Sequence, residues 1–358
     1  MMKILIATGI YPPEIGGPAT YAKLLHDRLP SYGFTTDILP FREVRQWPKI
    51  IRHLVYLFKI LRRGREADLI FTQDPVSTGL PSIIGGKMLG KKVIIRVAGD
   101  YAWEQGRSRF GVVAGIDEFQ HNKYAWRVNL LKKIQSYSVG VADQVITPSK
   151  YFARLVSGWN SRAKVMCIYN GIELPANKPE TRRDRKLLFS AGRLVNWKGF
   201  DVLIELMRDL PPDWRLFIAG DGPDRKKLES MINSFNLKDR VKLLGLISRE
   251  QILEYLSRAG IFVLNTSFES FSFQVVEAMW AEVPVIATNV GNLAEIITDG
   301  EEGLLVSPNN QEQILGAILA LDSDDELREK IIKKAKLKAS QFSVDLTLKN
   351  LGSLLARL

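Results

Sequence analysis

The sequence is short of the two residue types that build disulfides and most transition-metal sites. Cys167 is the one cysteine among 358 residues, so no intramolecular disulfide can form, and the chain suits a reducing compartment. The three histidines, His26, His53 and His121, are far apart, and no Cys or His spacing resembles a zinc-binding motif. We therefore predict a protein without a bound metal.

Long apolar runs are also missing. No stretch approaches the roughly 20 apolar residues that a membrane-spanning helix needs. The first residues, MMKILIATGIYPPE, are too few for a secretory signal peptide and lack its layout, and they indicate a first buried strand instead. These two features predict a cytoplasmic protein.

Acidic residues are scarce in the first half of the chain. Residues 1–172 hold 25 Lys and Arg against 12 Asp and Glu, a net charge of +13, whereas residues 173–358 hold 25 against 27, a net charge of −2. This asymmetry predicts that the first half meets an anionic partner, either nucleic acid or an anionic membrane surface. No nucleic-acid-binding motif accompanies the charge, so we expect no nucleic acid partner and favour the membrane.

One segment could carry such a membrane contact. Residues 47–65, WPKIIRHLVYLFKILRRGR, place apolar residues at helical spacing and interleave them with six Lys and Arg. A helix on the inner face of the cell membrane, with Trp47 at the interface, explains this pattern and predicts a peripheral protein. An ordinary domain helix with a solvated basic edge explains the same pattern equally well.

Apolar segments of strand length alternate with helical patterns along the whole chain. Buried-strand patterns include residues 3–9, 68–74 and 92–100 in the first half, and residues 186–194 and 261–267 in the second. Such alternation predicts an α/β fold with two Rossmann-like, doubly wound parallel-sheet domains. A length of 358 residues agrees with two domains.

A polar, proline-containing segment, LPANKPETRRDR, indicates a linker between the two halves. The expected organisation is a first domain over residues 1–172, a linker over residues 173–185 and a second domain over residues 186–341. An amphipathic helix over residues 342–358 then closes the chain. Because ligands of doubly wound sheets bind beyond the carboxyl ends of the strands, we expect the site in a central cleft that both domains face.

Residues 268–288, FESFSFQVVEAMWAEVPVIAT, contain acidic residues in almost wholly apolar surroundings. Ser272 is a suitable N-cap for a helix over residues 273–281. The free N–H groups at its start suit a phosphate, and Glu277 could accept two hydroxyl hydrogen bonds from a ribose diol. Glu269 could reach whatever lies beyond the phosphate. Two solvated surface acids are the alternative, which the apolar flanks disfavour.

Two other loops have features of phosphate sites. Gly16 and Gly17 precede Pro18 at the predicted start of a helix that follows the first strand. Arg193 and Lys198 bracket a strand-to-helix loop, where two cations near a helix N-terminus could clamp a diphosphate. Each feature alone is a weak signal, because glycine turns and surface basic residues are common. The glycine loop is not G-x-G-x-x-G, so a nicotinamide fingerprint is lacking.

These motifs together resemble those of retaining GT-B glycosyltransferases of family 4. The resemblance is carried by the E-x7-E spacing, by EAMWAEVPVIA with the GNLAEII that follows, and by G-R-L-x3-K-G. It implies that Glu269 contacts the donor sugar and that Glu277 binds the nucleotide ribose. It also implies that Arg193 and Lys198 hold the donor diphosphate, and that they assist catalysis together with Glu269.

The resemblance extends to the glycine loop and to the residues between the two glutamates. It implies that Gly16 and Gly17 lie over the donor diphosphate. It also implies a donor site lined by the residues that follow Glu269, which are Ser270, Phe271, Ser272 and Phe273. Two residues depart from the family pattern, because Ser272 and Glu282 stand where the family usually has glycine.

A further candidate lies in the loop AGDYAWE, which follows the strand pattern at residues 92–100. Many family members carry a His in this loop, and this chain has none there. Asp100 is the nearest residue able to act chemically. An aspartate that satisfies local N–H groups of the turn is an equal alternative. Tyr101 and Trp103 could stack on an acceptor sugar ring or simply pack.

The resemblance implies a metal-independent transferase that moves a sugar from a UDP- or GDP-sugar to a hydroxyl acceptor with retention. The nucleotide sugar is then a substrate, and no cofactor is expected. The basic first half indicates a glycan or lipid-linked acceptor, and hence cell-envelope polysaccharide synthesis. Two alternatives remain, a GT-B sugar-nucleotide epimerase that needs no acceptor and a non-catalytic sugar-nucleotide-binding protein. A nicotinamide dehydrogenase is disfavoured because its glycine fingerprint is lacking.

Overall fold

The computed structural model describes residues 1–14, 16–175 and 181–358, with residue 50 described for its backbone alone. The chain divides into two compact units. Unit 1 comprises Met1–Asn170 and Asp345–Leu358, and unit 2 comprises Gly171–Val344. Residues 176–180 of the linker predicted over residues 173–185 lie outside the described residues.

Unit 1 is built on a six-stranded parallel sheet. Its strands are β1 (Met2–Thr8), β2 (Phe34–Pro40), β3 (Leu69–Thr72), β4 (Lys92–Arg96), β5 (Gln144–Thr147) and β6 (Val165–Cys167). They pair in the order β2-β1-β3-β4-β5-β6. The central strands are apolar on both faces because helices cover both sides of such a sheet. The strand order reverses between β1 and β3, which is where open α/β sheets bind ligands.

Helices connect these strands on both faces of the sheet. They are α1 (Gly17–Arg28), α2 (Lys49–Gly64), α3 (Gly79–Leu89), α4 (Tyr101–Arg109), α5 (Ile116–His121), α6 (Trp126–Val141) and α7 (Lys150–Trp159). Helix α2 confirms the helix predicted within residues 47–65. It buries Tyr56, whose hydroxyl donates to the Leu39 carbonyl at 2.7 Å.

Unit 2 contains a second six-stranded parallel sheet. Its strands are β7 (Asp184–Ala191), β8 (Arg215–Ala219), β9 (Val241–Gly245), β10 (Ala259–Leu264), β11 (Val285–Thr288) and β12 (Leu304–Val306). The order β12-β11-β10-β7-β8-β9 is that of dinucleotide-binding folds, and it reverses between β7 and β10. Ligands of unit 2 are therefore expected beyond the carboxyl ends of these two strands.

The helices of unit 2 follow the same alternation. They are α8 (Phe200–Leu206), α9 (Arg225–Ser234), α10 (Arg249–Arg258), α11 (Phe273–Trp280), α12 (Leu293–Ile296), α13 (Gln311–Ser323) and α14 (Asp325–Ala339). Trp214 is fully buried and packs in the core of unit 2 together with apolar side chains of β8 and β10. The predicted α/β architecture with two doubly wound parallel sheets is confirmed.

The chain ends in α15 (Val344–Leu355), which belongs to unit 1 from Asp345 onward. Thr347 in this helix donates from its hydroxyl to the Tyr169 carbonyl at 2.8 Å, and Leu348 and Leu351 are fully buried. Unit 1 is thus completed by a segment that follows unit 2 in the sequence. Across residues 1–14, 16–175 and 181–358, we find no helix whose length and apolarity would let it cross a bilayer.

Candidate functional site

The carboxyl ends of β7 and β10 bring together two residues that the sequence singled out separately. Lys198 Nζ lies 2.8 Å from Glu269 Oε2, and the two side chains are only 14% and 13% exposed. Lys198 ends the 3₁₀ turn after β7, and Glu269 lies in the loop between β10 and α11. Because water is largely excluded, this pair interacts more strongly than an ion pair on an open surface.

Backbone contacts fix the loop that carries Lys198. The carbonyl of Trp197 accepts a hydrogen bond from the Ser267 amide at 2.8 Å, and Asn265 Nδ2 donates to the Gly199 carbonyl at 3.0 Å. Gly199 has φ +54°, and a Cβ there would lie 2.3 Å from Asn265 Nδ2. Glycine is therefore required at this position, which explains the glycine that follows the lysine in the sequence motif.

Arg193 lies on the same loop, and its environment differs from that of Lys198. The side chain is exposed and forms no hydrogen bond or ion pair with another residue of the described ranges. The backbone beneath it is fixed, because Leu194 exchanges hydrogen bonds with Asp221 and Asp224 at 3.0 and 3.1 Å. The GDGP turn at residues 220–223 thus supports this loop, and the guanidinium above it is available to an anionic ligand.

The predicted cap of α11 is confirmed. Ser272 is the N-cap, and its hydroxyl accepts the Val275 amide at 3.3 Å. The helix ends at Trp280, one residue earlier than predicted. The amides of Phe273 and Gln274 have no acceptor within the described part of the chain. The helix therefore begins with two free N–H donors and the positive end of its dipole, a suitable setting for an anionic oxygen.

The other residues around the cap differ in how far they are buried. Phe271 is 5% exposed, and its ring contacts that of Phe342 at 5.6 Å between centroids, so Phe271 is part of the packing. Ser270 and Phe273 are half-buried and can reach a ligand. Glu282, after the helix, has φ +60°, which explains why the related pattern favours glycine at this position.

Glu277 has a partner that the sequence analysis missed. Arg249 Nε lies 2.9 Å from Glu277 Oε1, and Arg249 Nη2 donates to the Glu173 carbonyl at 2.6 Å. Burial raises the pKa of the Glu277 carboxyl, which is 5% exposed, and the bond from Arg249 opposes this rise. One sequence signal could have located the arginine: Ser248 and Gln251 form a capping box that starts α10 at Arg249.

Replacing Arg249 with Met should make thermal stability fall as the pH rises above about 4.5, the ordinary pKa of glutamate. Burial already makes the folded protein hold the Glu277 proton more tightly than the unfolded chain does, and loss of the arginine strengthens this effect. The folded state then binds more protons than the unfolded state between the two pKa values, so stability decreases with pH across that window. Melting temperatures from pH 4.5 to 8 measure the slope.

The double variant Arg249→Met with Glu277→Gln is the control for this titration. It lacks the titrating carboxyl. We therefore expect its melting temperature to change with pH in the same way as that of the single variant Glu277→Gln. Parallel curves for Arg249→Met and the double variant would contradict the assignment of the slope to Glu277.

The glycine loop of unit 1 contains one constrained and one unconstrained glycine. Gly16 is the N-cap of α1 with φ +154°, and a Cβ there would lie 2.8 Å from the Ile10 side chain. A Cβ added at Gly17 would have no described atom within 4 Å. A backbone close to a ligand, rather than local packing, would explain a glycine at position 17. Its place over a diphosphate stays a prediction.

Asp100 is fully buried at the start of α4. Its Oδ1 accepts hydrogen bonds from the Trp103 amide and from Gln135 Nε2, both at 3.0 Å, and its Oδ2 accepts one from Gln120 Nε2 at 2.9 Å. Burial raises the pKa of this carboxyl, and the three hydrogen bonds oppose the rise. Of the two roles left open by the sequence, these contacts support the cap and leave the carboxylate no surface for a substrate. Trp103 is packed in the core.

Asp100→Asn should therefore destabilise the protein without slowing the folded enzyme. The amide would turn an NH₂ group toward a glutamine NH₂, and an unsatisfied buried polar group costs about 1–3 kcal/mol. Ser149→Ala removes the buried N-cap of α7 and should cost about 1 kcal/mol as the comparison. Urea unfolding and kcat are measured on both variants. A hundredfold loss of kcat at unchanged stability in Asp100→Asn would restore a catalytic role.

The arrangement in unit 2 can bind an anion and hydroxyl groups side by side. Lys198, Arg193 and the α11 amides are donors, and Glu269 and Glu277 are acceptors. Within the described ranges, no three His, Cys, Asp or Glu side chains are grouped as metal ligands. Gly16, Gly17 and Asp100 belong to unit 1, and among the described residues no hydrogen bond or ion pair joins them to one another.

Two family models match the chain, one in each half. The model for Glycosyltransferase Family 4 matches residues 15–175, and the model for Glycosyl transferases group 1 matches residues 173–338. Together they span residues 15–338, which include every candidate site residue that the sequence predicted.

Individual proteins agree with these matches. The chain is 27% identical over 357 residues to a glycosyltransferase of Methanocaldococcus jannaschii, covering 96% of this chain and 95% of the relative. It is 30% identical over 208 residues, 56% of each chain, to the N-acetylgalactosamine-N,N'-diacetylbacillosaminyl-diphospho-undecaprenol 4-alpha-N-acetylgalactosaminyltransferase of Campylobacter jejuni. Its fold matches Anabaena HepE, solved with UDP-glucose, at a TM-score of 0.77 with 20% identity over all of both chains. The chain is therefore a GT-B glycosyltransferase of the family 4 type.

Proposed function

We propose that the protein transfers a sugar from a UDP- or GDP-sugar to a hydroxyl acceptor, with retention of configuration and without a metal ion. The observation that carries the proposal is the shielded Lys198–Glu269 pair at the strand-order reversal of unit 2. In this assignment Lys198 and Arg193 hold the diphosphate and Glu269 accepts hydrogen bonds from the donor sugar. Glu277 accepts the ribose hydroxyls.

The chemistry requires stabilisation of the leaving group. As the bond between the sugar C1 and the phosphate oxygen breaks, its electron pair stays on the oxygen, and negative charge grows there. Preplaced cations and N–H groups stabilise this charge because they need no reorganisation during the reaction. Lys198, Arg193 and the free amides of α11 supply such groups, so a metal ion is not needed.

The acceptor hydroxyl must also lose its proton to a base during the transfer. In attack from the same face, the departing phosphate oxygen takes the proton of the acceptor hydroxyl as the new C–O bond forms. A protein base is then unnecessary, which agrees with the burial of Asp100 and with the lack of a His in its loop. This route retains the configuration at the anomeric carbon.

The relatives support a donor class and an acceptor class. HepE was solved with UDP-glucose, and the Campylobacter jejuni relative is named for a diphospho-undecaprenol acceptor. Residues 1–172 of this chain carry a net charge of +13, which suits an acceptor bearing phosphates at a membrane surface. We therefore propose a glycan or lipid-linked acceptor and a role in cell-envelope polysaccharide synthesis.

The anomeric configuration of the product tests this mechanism. The purified protein is incubated with UDP- and GDP-sugars and a diphospholipid-linked sugar acceptor in EDTA, and the product is followed by ¹H NMR. We expect one α-linked donor to give an α-linked product at an undiminished rate in EDTA. A β-linked product, or a requirement for a divalent cation, would contradict the mechanism.

A membrane contact through α2 is a further part of the proposal. Ile51, Leu54 and Phe58 lie on one side of this helix and are 44%, 62% and 65% exposed. Lys49 and Arg62 are exposed on the same helix. Apolar side chains beside cations suit the surface of an anionic bilayer, such as the cytoplasmic leaflet. We therefore propose a cytoplasmic protein that lies peripherally on the inner face of the cell membrane.

Leu54→Ser with Phe58→Ser should weaken binding to vesicles containing anionic phospholipid by roughly 100-fold or more, because burying each of the two side chains is worth about 1.5–3 kcal/mol. Leu246→Ser with Leu337→Ser is a matched control, since these leucines of unit 2 are 70% and 66% exposed. Cosedimentation measures the bound fraction. Equal binding by both double variants, or no binding by the wild type, would contradict the membrane contact.

A further inference from the structure

Unit 1 contains a cavity of about 570 Å³ between α5, α6 and α7. Its volume is typical of small-molecule sites. Gln120 and Gln135 in its wall are the two amides that hold Asp100, so the cavity lies directly behind the cap of α4. None of the proposed donor-binding residues lines it.

The neutral polar groups of the wall are already engaged with one another. Gln120 Oε1 accepts the Trp159 indole N–H at 2.9 Å, and the Ser136 hydroxyl donates to the Trp159 carbonyl at 2.7 Å. The Tyr151 hydroxyl donates to Asp117 Oδ1 at 2.8 Å. These contacts fix the shape of the cavity and leave few neutral groups to bind a ligand.

The groups that remain unengaged are cationic or basic nitrogens. Lys133, Arg154 and His121 are exposed wall residues, and none forms a hydrogen bond or ion pair with another residue that the structure describes. Lys132 donates to three backbone carbonyls at the end of α5 and adds a further positive charge. Asp117 is the one carboxylate in this wall. The side-chain nitrogens that remain without a partner are therefore suited to bind an anion.

The rings of Tyr151 and Trp159 also line the cavity and are half-buried. Aromatic faces contribute contact area to a ligand with an apolar ring face, and a bare oxyanion would leave them unused. The cavity is also large for a single oxyanion. Both features indicate an anionic group carried on a ring-sized body.

We propose that this cavity binds a small organic anion, a ring compound that carries a phosphate or a carboxylate. Arg154 and Lys133 bind the anionic group, and Trp159 packs against the ring. Arg154 suits this role because its guanidinium can donate two parallel hydrogen bonds to either group. A sugar phosphate and a uronic acid share this chemistry. The proposal does not depend on the donor site, whose residues lie in unit 2.

Isothermal titration of the full-length protein at low salt tests the site with glucose 6-phosphate, glucuronate, glucose and inorganic phosphate. The cavity variant is Arg154→Gln with Lys133→Gln. The matched control is Arg162→Gln with Lys123→Gln, which removes the same charges from exposed positions of unit 1 outside the cavity. All four positions are exposed, so the variants should fold, and melting curves verify this.

We expect glucose 6-phosphate or glucuronate to bind the wild type and the control equally, and the cavity variant at least about tenfold more weakly. Whichever of the two binds more tightly identifies the anionic group. Glucose should not bind, because it lacks the charge. Equal binding to the cavity variant and the control, binding of inorganic phosphate as tightly as glucose 6-phosphate, or no binding of either organic anion would each overturn the proposal.

Discussion

Lys198→Met should lower kcat for sugar transfer by roughly 100- to 1,000-fold, which is the loss seen when one preplaced group that stabilises transition-state charge is removed. The substitution removes the ammonium and also leaves Glu269, whose side chain is 13% exposed, without its ion-pair partner. Both effects act on the reacting end of the donor. We therefore expect a fall in kcat that exceeds any rise in KM for the donor.

Lys227→Met is the control for this variant. It removes a lysine from another ion pair of unit 2, in which Lys227 Nζ lies 2.7 Å from Asp201 and is 55% exposed. An exposed pair contributes little, so we expect near wild-type kinetics. Steady-state kinetics of both variants with the same donor decide the question. Similar kcat values for Lys198→Met and Lys227→Met would exclude Lys198 from the leaving-group site.

Glu277→Gln should weaken donor binding by roughly 10- to 100-fold, because each hydrogen bond to a charged group contributes about 1.5–3 kcal/mol. A ribose contact is the same in the ground state and in the transition state. KM for the donor should therefore rise while kcat changes little, the reverse of the pattern expected for Lys198. Steady-state kinetics and titration with the nucleoside diphosphate measure the two quantities.

Glu229→Gln provides a control of the same chemistry. Arg225 Nε lies 2.8 Å from Glu229 Oε1, as Arg249 Nε lies 2.9 Å from Glu277 Oε1, but Glu229 is 47% exposed on α9. Losing this exposed pair should leave donor binding unchanged. A normal KM in Glu277→Gln would mean that this carboxylate serves the packing of unit 2 through Arg249 and does not bind ribose.

The fold was predictable because parallel strands covered on both sides are apolar along their length. Residues 3–9 and 261–267 show this pattern in the sequence, and both correspond to central strands of the sheets. The α11 cap was predictable for a local reason, since Ser272 and the helix it starts are adjacent in the chain. The strand order was not predictable in this way, because it depends on packing between segments that are distant in sequence.

That dependence explains the contacts that the sequence did not show. Lys198 and Glu269 were separate candidates, and only the neighbouring positions of β7 and β10 make them an ion pair. Arg249 follows β9 and reaches Glu277 on α11 from an edge-strand connection, with no local motif to mark the pairing. Such pairs follow from the tertiary arrangement, and residue spacing does not encode them.

Asp100 shows the same dependence on distant segments. Its position after a strand suits a catalytic group and a helix cap equally well. Gln120 and Gln135, which come 20 and 35 residues later, enclose it and supply its hydrogen bonds. Burial by distant segments therefore supports the cap, whereas the loop sequence AGDYAWE could not distinguish the cap from a catalytic role.

A thermal-shift panel shows whether unit 2 binds a nucleotide-diphosphate donor. Wild type and Glu277→Gln are melted with UDP, GDP, ADP and NAD, each at about 100 times its expected dissociation constant, where a ligand adds roughly 2.7 kcal/mol. We expect UDP or GDP to raise the melting temperature of the wild type by several degrees, and Glu277→Gln to lose most of this shift. A raised melting temperature with NAD alone, or with none of the four nucleotides, would mean that unit 2 has no such donor site.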